Sequence, residues 1–211
     1  MSLFYPETLP PQTAELVSLL HERSPAFLST FYLSGGTGLS LQIGHRESED
    51  LDFFAQHTFR PQALEKELQA FGELHQTQLE EGTLNTFLEK VKLQFLEYPY
   101  PLLEPFVDWN GILLSSVLDI ACTKLQTISM RGSKKDFVDL YFLLQKYSLP
   151  ELLDATRKKY QHSNYSQAHI LKSLVYFVDA EGQPMPRLHL PIEWEGVKEK
   201  MIQEVKALPL A

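Results

Sequence analysis

The sequence predicts an α+β chain, with strands and helices interleaved in its first half and helices alone in its second. Three observations carry this. Four short apolar or alternating runs, Phe31–Leu33, Asp50–Phe54, Thr83–Leu88 and Val91–Tyr98, all fall before residue 110. From Ser116 onward apolar residues recur at helical spacing. Between the two regions, Tyr98-Pro99-Tyr100-Pro101 and Pro105 stop strand pairing and read as a linker. A boundary near Asn110-Gly111 follows, dividing the chain into residues 1–110 and 111–211.

Taken in order, Thr13 to Glu22 carries Leu16, Val17, Leu19 and Leu20 at near-helical spacing and is ended by Pro25. After the strand Phe31–Leu33, a short helix over Thr37 to Ile43 places Leu39 and Ile43 one turn apart, with Gly44 as its C-cap. The strand Asp50–Phe54 runs into a loop, and Arg60-Pro61 opens a helix with Leu64, Leu68 and Phe71 on one face. Thr83–Leu88 and Val91–Tyr98 form a hairpin about Glu89-Lys90. In its second strand Val91, Leu93, Phe95 and Glu97 share one face, and Lys92, Gln94, Leu96 and Tyr98 the other. The second half reads as helices over Ser116–Met130, from Gly132 through Leu144, Glu151–Gln161, Gln167–Phe177 and Glu193–Leu208, with a Pro-rich excursion over Asp179–Pro191.

Composition sets the class. With 44% hydrophobic and 22% charged residues, the 211-residue chain has the make-up of a soluble globular protein of one large or two small domains. No apolar run reaches the roughly 18 residues of a membrane span, and the N-terminus lacks a signal-peptide pattern. A single cysteine, Cys122, cannot form an intramolecular disulfide, so a cytoplasmic setting is expected. Cys122 lies in an apolar helical pattern and reads as a small buried hydrophobe. A net charge of −8 argues against indiscriminate nucleic-acid binding but not against a local basic groove. Arg157, Lys158 and Lys159 read as a solvated helix face; Lys124, Arg131, Lys134 and Lys135 form the other basic patch.

The chemistry points to Phe31–Phe54. Gly35-Gly36 directly after a strand lets backbone N–H groups approach a phosphate with no Cβ in the way. Asp50 and Asp52 stand at i and i+2 on a strand, so their carboxylates share a face while Leu51 and Phe53 enter the core. Adjacent carboxylates repel unless a cation lies between them. A phosphate cradle followed by such a pair points to Mg²⁺ held against a nucleoside triphosphate, the other reading being a solvated acidic strand end. Thr37 offers a hydroxyl and helix-terminal amides to a phosphate, or serves as an N-cap. Arg46 pairs either with phosphate or with Glu47 or Glu49. Lys124 and Arg131, seven residues apart on one helix face, either aim charge at a phosphate or form a solvated pair. Ser133-x-x-Asp136 and Ser116-x-x-Asp119 are capping-box-like, which gives Asp136 and Asp119 structural explanations; Asp139 has none and is preferred as a site residue. Lys135 could pair with Asp139 at i−4.

Gly35-Gly36-Thr37 … His45-Arg46-x-Ser48-x-Asp50-Leu51-Asp52-Phe53 resembles the signature of the AbiEii/AbiGii-type nucleotidyltransferases. These are toxin components of bacterial toxin–antitoxin and phage-abortive systems within the DNA polymerase beta-like nucleotidyltransferase superfamily. Leu118-Asp119-Ile120-Ala121 … Lys124-Leu125 … Arg131-Gly132-Ser133-Lys134-Lys135-Asp136-Phe137-Val138-Asp139-Leu140-Tyr141 is similar to that family's second block. The resemblance implies a small mixed β-sheet core flanked by helices, which binds a nucleoside triphosphate and Mg²⁺ (or Mn²⁺), and a helical C-terminal domain that completes the cleft. Gly35, Gly36 and Thr37 take the triphosphate-contacting role, Asp50 and Asp52 the metal, and Lys124, Asp136 and Asp139 match the second block. It further implies transfer of a nucleoside monophosphate to a hydroxyl of RNA, such as tRNA, or of protein, and a cognate antitoxin as partner.

The chain departs from the superfamily at one position. A third carboxylate usually comes from a neighbouring strand, and the corresponding residue here is Gln94, which cannot act as a base at neutral pH. Glu97 faces the other side of its strand. Either one well-held metal suffices, or a carboxylate of the helical domain substitutes, or the chain is a catalytically degenerate nucleotide- or partner-binding module.

Overall fold

The computed structural model describes residues 3–163 and 166–208. The chain forms two compact units that divide after Ser116.

The first unit is built on seven strands: β1 (Tyr32–Leu33), β2 (Leu51–Ala55), β3 (Leu74–Glu80), β4 (Thr83–Leu88), β5 (Val91–Glu97), β6 (Val107–Trp109) and β7 (Ile112–Leu114). They form one sheet in the order β3-β4-β5-β2-β1-β7-β6. β2 runs parallel to β5 and β1 parallel to β7, and the remaining pairs are antiparallel, so the sheet is mixed. Helices α1 (Pro11–Arg23), α2 (Gly35–Ile43) and α3 (Pro61–Leu68) accompany it.

Strand alternation decides which face becomes the core. Leu51, Phe53, Leu84, Leu88, Leu93 and Phe95 are almost fully buried, together with Leu16 and Leu20 of α1 and Leu64 and Leu68 of α3. Each such side chain contributes about 1.5–3 kcal/mol on leaving water. Phe53 and Phe95 stack nearly parallel across β2 and β5, with ring centroids 5.0 Å apart. The same alternation sends Asp52, Gln94 and Asn85 to the opposite face, where each is partly exposed.

Three features differ from the sequence reading. Leu74–Glu80 is a strand; its pairing with β4 shifts between His75 and Gln78, and Gln76 has φ 52°, so a bulge hides the two-residue period. Asn110-Gly111 is the two-residue turn of the β6–β7 hairpin, with φ 52° and 84°, rather than a domain boundary. Pairing therefore continues beyond Pro105, and the units divide after Ser116 instead. The helix expected over Gln167–Phe177 stops at Leu174, and Asp179–Glu181 belongs to a further short helix rather than to the Pro-rich excursion.

The second unit contains α4 (Val117–Arg131), α5 (Lys134–Leu143), α6 (Leu149–Lys159), α7 (Gln167–Leu174), α8 (Val178–Glu181) and α9 (Trp194–Lys206). α4 packs on α5, α6 and α7, and α9 packs on α5 and α7. α6 begins with a complete capping box, Ser148 with Glu151. No helix among the described residues is long and apolar enough to cross a membrane.

Candidate nucleotide site

The turn from β1 into α2 brings most of the suspected residues together. Ser34 N–H donates to the Asp52 carbonyl at 2.9 Å, so the end of β1 is tied to β2 at the carboxylate's own residue. Ser115 Oγ is hydrogen-bonded to Ser34 Oγ at 2.8 Å, both buried, which fixes the same point from β7. Gly35 then takes φ +61°, and a Cβ there would lie 2.1 Å from Asp52 Oδ2. A Cβ on Gly36 would lie 2.7 Å from Arg46 Nη2 and 3.0 Å from Ser48 Oγ. The two glycines are required for different reasons, one by conformation and carboxylate contact, the other by the guanidinium. The first turn of α2, whose N–H groups have no intrahelical partner, is thus flanked by a carboxylate and a cation.

The loop from Gly44 to Asp50 is held by the chain's first helix and its approach. Tyr5 packs against Gly44, where a Cβ would meet its ring at 2.6 Å, and Tyr5 N–H donates to the Leu41 carbonyl at 2.9 Å. Ser48 N–H donates to the Thr8 carbonyl at 3.0 Å, and Thr13 Oγ1 to the Glu49 carbonyl at 3.0 Å. Thr37 is fully buried; its hydroxyl lies 2.9 Å from Ser48 Oγ and bonds the Asp50 carbonyl, so it anchors the lead into β2. Arg46 is almost fully buried, and its Nη1 donates to the Glu47 carbonyl at 2.8 Å. Tyr5, Thr8, Thr13 and Ser48 carry no motif of their own, so this support was not legible in sequence.

Across the sheet the register places Gln94 directly beside Asp52, and Asn85 directly beside Gln94. Asn85 Oδ1 is buried with no hydrogen-bond partner. A row of carboxylate, amide, amide therefore crosses β2, β5 and β4 on the exposed face. Among the described residues no three His, Cys, Asp or Glu side chains form a metal-binding group. β2 begins at Leu51, so Asp52 lies on the strand and Asp50 just before it, not both on the strand as the sequence reading expected. Two carboxylates are a donor set that would hold Mg²⁺ together with substrate phosphates.

The second unit gathers the other suspected residues. Lys124 Nζ lies 2.7 Å from Asp136 Oδ1 and 2.6 Å from Asp139 Oδ2, with both carboxylates fully buried. Arg131 Nε reaches Asp136 Oδ2 at 3.1 Å. Burial alone would raise the Asp136 pKa, but Lys124 and Arg131 outweigh it and hold the carboxyl below its ordinary value. Asp136 is thus an ion-pair member and not a cap; Ser133 makes no side-chain cap bond. Asp119 likewise pairs with Lys159, 2.6 Å apart and both buried, so Lys159 leaves the solvated patch to which its spacing assigned it. Lys134 is also buried, donating to the Glu181 carbonyl at 3.1 Å and lying 4.9 Å from the Trp194 ring centroid. The first basic patch is largely an internal network. Burial pushes the Cys122 thiol up to about 11, as fits a packed hydrophobe.

This fold is that of the nucleotidyltransferases. The described chain superposes on the nucleotidyltransferase toxin MenT4 of Mycobacterium tuberculosis H37Rv with a TM-score of 0.54 at 15% identity, covering 95% of this chain and 87% of the other. With JHP933 of Helicobacter pylori the TM-score is 0.53 at 16% identity, covering 94% and 92%. Residues 19–209 match the family described as "Nucleotidyl transferase AbiEii toxin, Type IV TA system", and the chain belongs to that family. An uncharacterised protein of Aquifex aeolicus (strain VF5) is 40% identical over 184 residues, covering 83% of this chain and 86% of that one.

Proposed function

We propose that this protein is a Mg²⁺-dependent nucleotidyltransferase that moves a nucleoside monophosphate from a nucleoside triphosphate to a hydroxyl of RNA, such as tRNA, or of protein, as the toxin of a toxin–antitoxin pair. The observation that carries the reading is the bracketed start of α2, with Asp52 pressed on Gly35 and Arg46 on Gly36. The α2 amides and Arg46 supply positive potential for a polyphosphate, and Asp50 and Asp52 supply the anionic pair opposite it. When bound there, a divalent cation neutralises phosphate charge and aligns the triphosphate for in-line attack. Thr37 and Ser48 fix the carboxylate loop, so the anionic pair is preorganised. Lys124, Asp136 and Asp139 enter as one unit, because a single ammonium serves both carboxylates. The family description, a type IV toxin–antitoxin system, supports a cognate antitoxin as partner.

The test is incubation of pure protein with Mg²⁺, each of the four labelled nucleotides, and total RNA. Labelled RNA or labelled protein is expected, and none with Asp52→Ala. Absence of label with all four nucleotides refutes the proposal.

A second reading has its own observation. The residue beside Asp52 is a neutral amide and the next is another, so neither in-register neighbour could take the acceptor's proton. On this reading the protein binds nucleotide without turnover, and calorimetry with a nucleoside triphosphate shows heat while labelling stays blank. Turnover in the labelling assay excludes it.

A further inference from the structure

The Tyr98-Pro99-Tyr100-Pro101 segment is not a free linker. Tyr98 N–H donates to the Ala55 carbonyl at 2.7 Å, extending the β2–β5 pairing by one residue. Tyr100 N–H donates to the Tyr98 carbonyl at 2.8 Å, and Gln56 Nε2 to the Tyr100 carbonyl at 3.3 Å. The two prolines fix φ on either side of Tyr100, so the backbone that carries both rings has little freedom left to lose. Those rings continue an aromatic row on the Asp52 face of the sheet. Tyr32 lies opposite Phe54, and the ring centroids run Tyr32 to Phe54 at 5.9 Å, Phe54 to Tyr98 at 4.6 Å and Tyr98 to Tyr100 at 4.8 Å.

Position along the strand gives this row a meaning. Phe54 follows Asp52 by two residues on the same face, a step of about 6.6 Å. A ribose spans a gap of that order between a phosphate and its base. Tyr32 and Phe54 are buried, whereas Tyr98 and Tyr100 keep part of their surface open. Tyr98 stands one ring contact beyond Phe54 and Tyr100 two, and such partly exposed rings suit the flat face of a nucleobase, which every base presents.

We propose that Tyr98 and Tyr100 form a wall on which a nucleobase stacks while phosphate lies at Gly35 and Asp52. The inference rests on the nucleotide-site reading above. The base is that of the nucleoside triphosphate or that of an acceptor's terminal nucleotide, and the experiment separates the two.

Binding is measured by calorimetry in Mg²⁺ for three probes: inorganic tripolyphosphate, a nucleoside triphosphate, and a single-stranded tetranucleotide. The proteins are the parent, Tyr100→Ala and Tyr100→Phe. Tyr100→Ala is expected to weaken the nucleoside triphosphate by about five- to hundred-fold, leaving tripolyphosphate unchanged, which also reports that the site is folded. The same loss confined to the tetranucleotide assigns the wall to the acceptor's base and equally supports it. Tyr100→Phe, which keeps the ring, should match the parent. Unchanged binding of both base-bearing probes to Tyr100→Ala, with tripolyphosphate still bound, overturns the stacking wall alone. So does an equal loss in Tyr100→Phe, because the hydroxyl and not the ring would then be responsible. A parent protein that binds none of the three overturns the nucleotide site and the wall together.

Discussion

Replacing Lys124 with Met removes one ammonium and leaves two buried carboxylates facing each other. Breaking a buried ion pair from one side costs about 3–5 kcal/mol, because the remaining charge loses its compensation. Here the ammonium serves Asp136 at 2.7 Å and Asp139 at 2.6 Å, so the upper end, about 5 kcal/mol, is expected at pH 8. The pH dependence has a definite sign. In the parent protein the Asp136 pKa is lowered, so its stabilising contribution is complete above the ordinary Asp range of about 4 and is lost as pH falls through the lowered value. In Lys124→Met only Arg131 still opposes burial at Asp136, so that carboxyl's pKa rises from its lowered value and the deficit grows as pH rises. It should therefore be larger at pH 8 than at pH 5 by at least about 1.4 kcal/mol, the equivalent of one pKa unit. For a unit of this size 5 kcal/mol corresponds to a fall in Tm of about 20 °C or more.

Urea unfolding followed by Trp194 fluorescence in a Trp109→Phe background reads the second unit, since Trp194 packs against Phe137 and Phe177 there. Adding Asp136→Asn and Asp139→Asn to Lys124→Met should restore most of the loss by removing the two buried negative charges. A loss under about 1 kcal/mol, the scale of an exposed pair, that is equal at both pH values would refute the reasoning.

Two further outcomes concern the site itself. Gly35→Ala puts a Cβ 2.1 Å from Asp52 Oδ2 at φ +61°, so the carboxylate must move; transfer in the labelling assay should fall about 100-fold, the cost of an ångström-scale displacement. Activity within a few-fold of the parent would mean that Asp52 is not held by this contact. Gln94→Asp places a third carboxylate in register beside Asp52, and the initial rate of transfer should rise about ten-fold or more if the missing group is a base. A rate that is unchanged or lower would show that position 94 does not act on the attacking hydroxyl.

Much of the fold was legible because its signals are local. The glycine pair, the alternation of Asp52 with Leu51 and Phe53, and the Gly44 C-cap each depend on neighbours a few residues away. Gln94 was expected beside the carboxylates through the superfamily resemblance; alternation gave its face on β5 but not its pairing with Asp52. Leu74–Glu80 was hidden since its bulge breaks the two-residue period, and the β6–β7 hairpin since prolines before it suggested that pairing had ended. Ion pairs were the hardest to read. The spacing that gave Asp136 a cap and Lys159 a solvated face is the same spacing that buries them, and only packing against another helix decides which. Lys124 and Asp139 stand on different helices, α4 and α5, so their contact is a property of tertiary structure.

The strand order also sets when the site can exist. Asp52 lies on β2, whose neighbours are β1, earlier in the chain, and β5, reached only after β3 and β4 have been passed. The bond between Ser34 and Ser115 joins residues 81 positions apart. A ribosome must therefore deliver the chain through Ser115 before the glycine turn is locked from both sides. During synthesis the carboxylate pair emerges early, but its surroundings are assembled last.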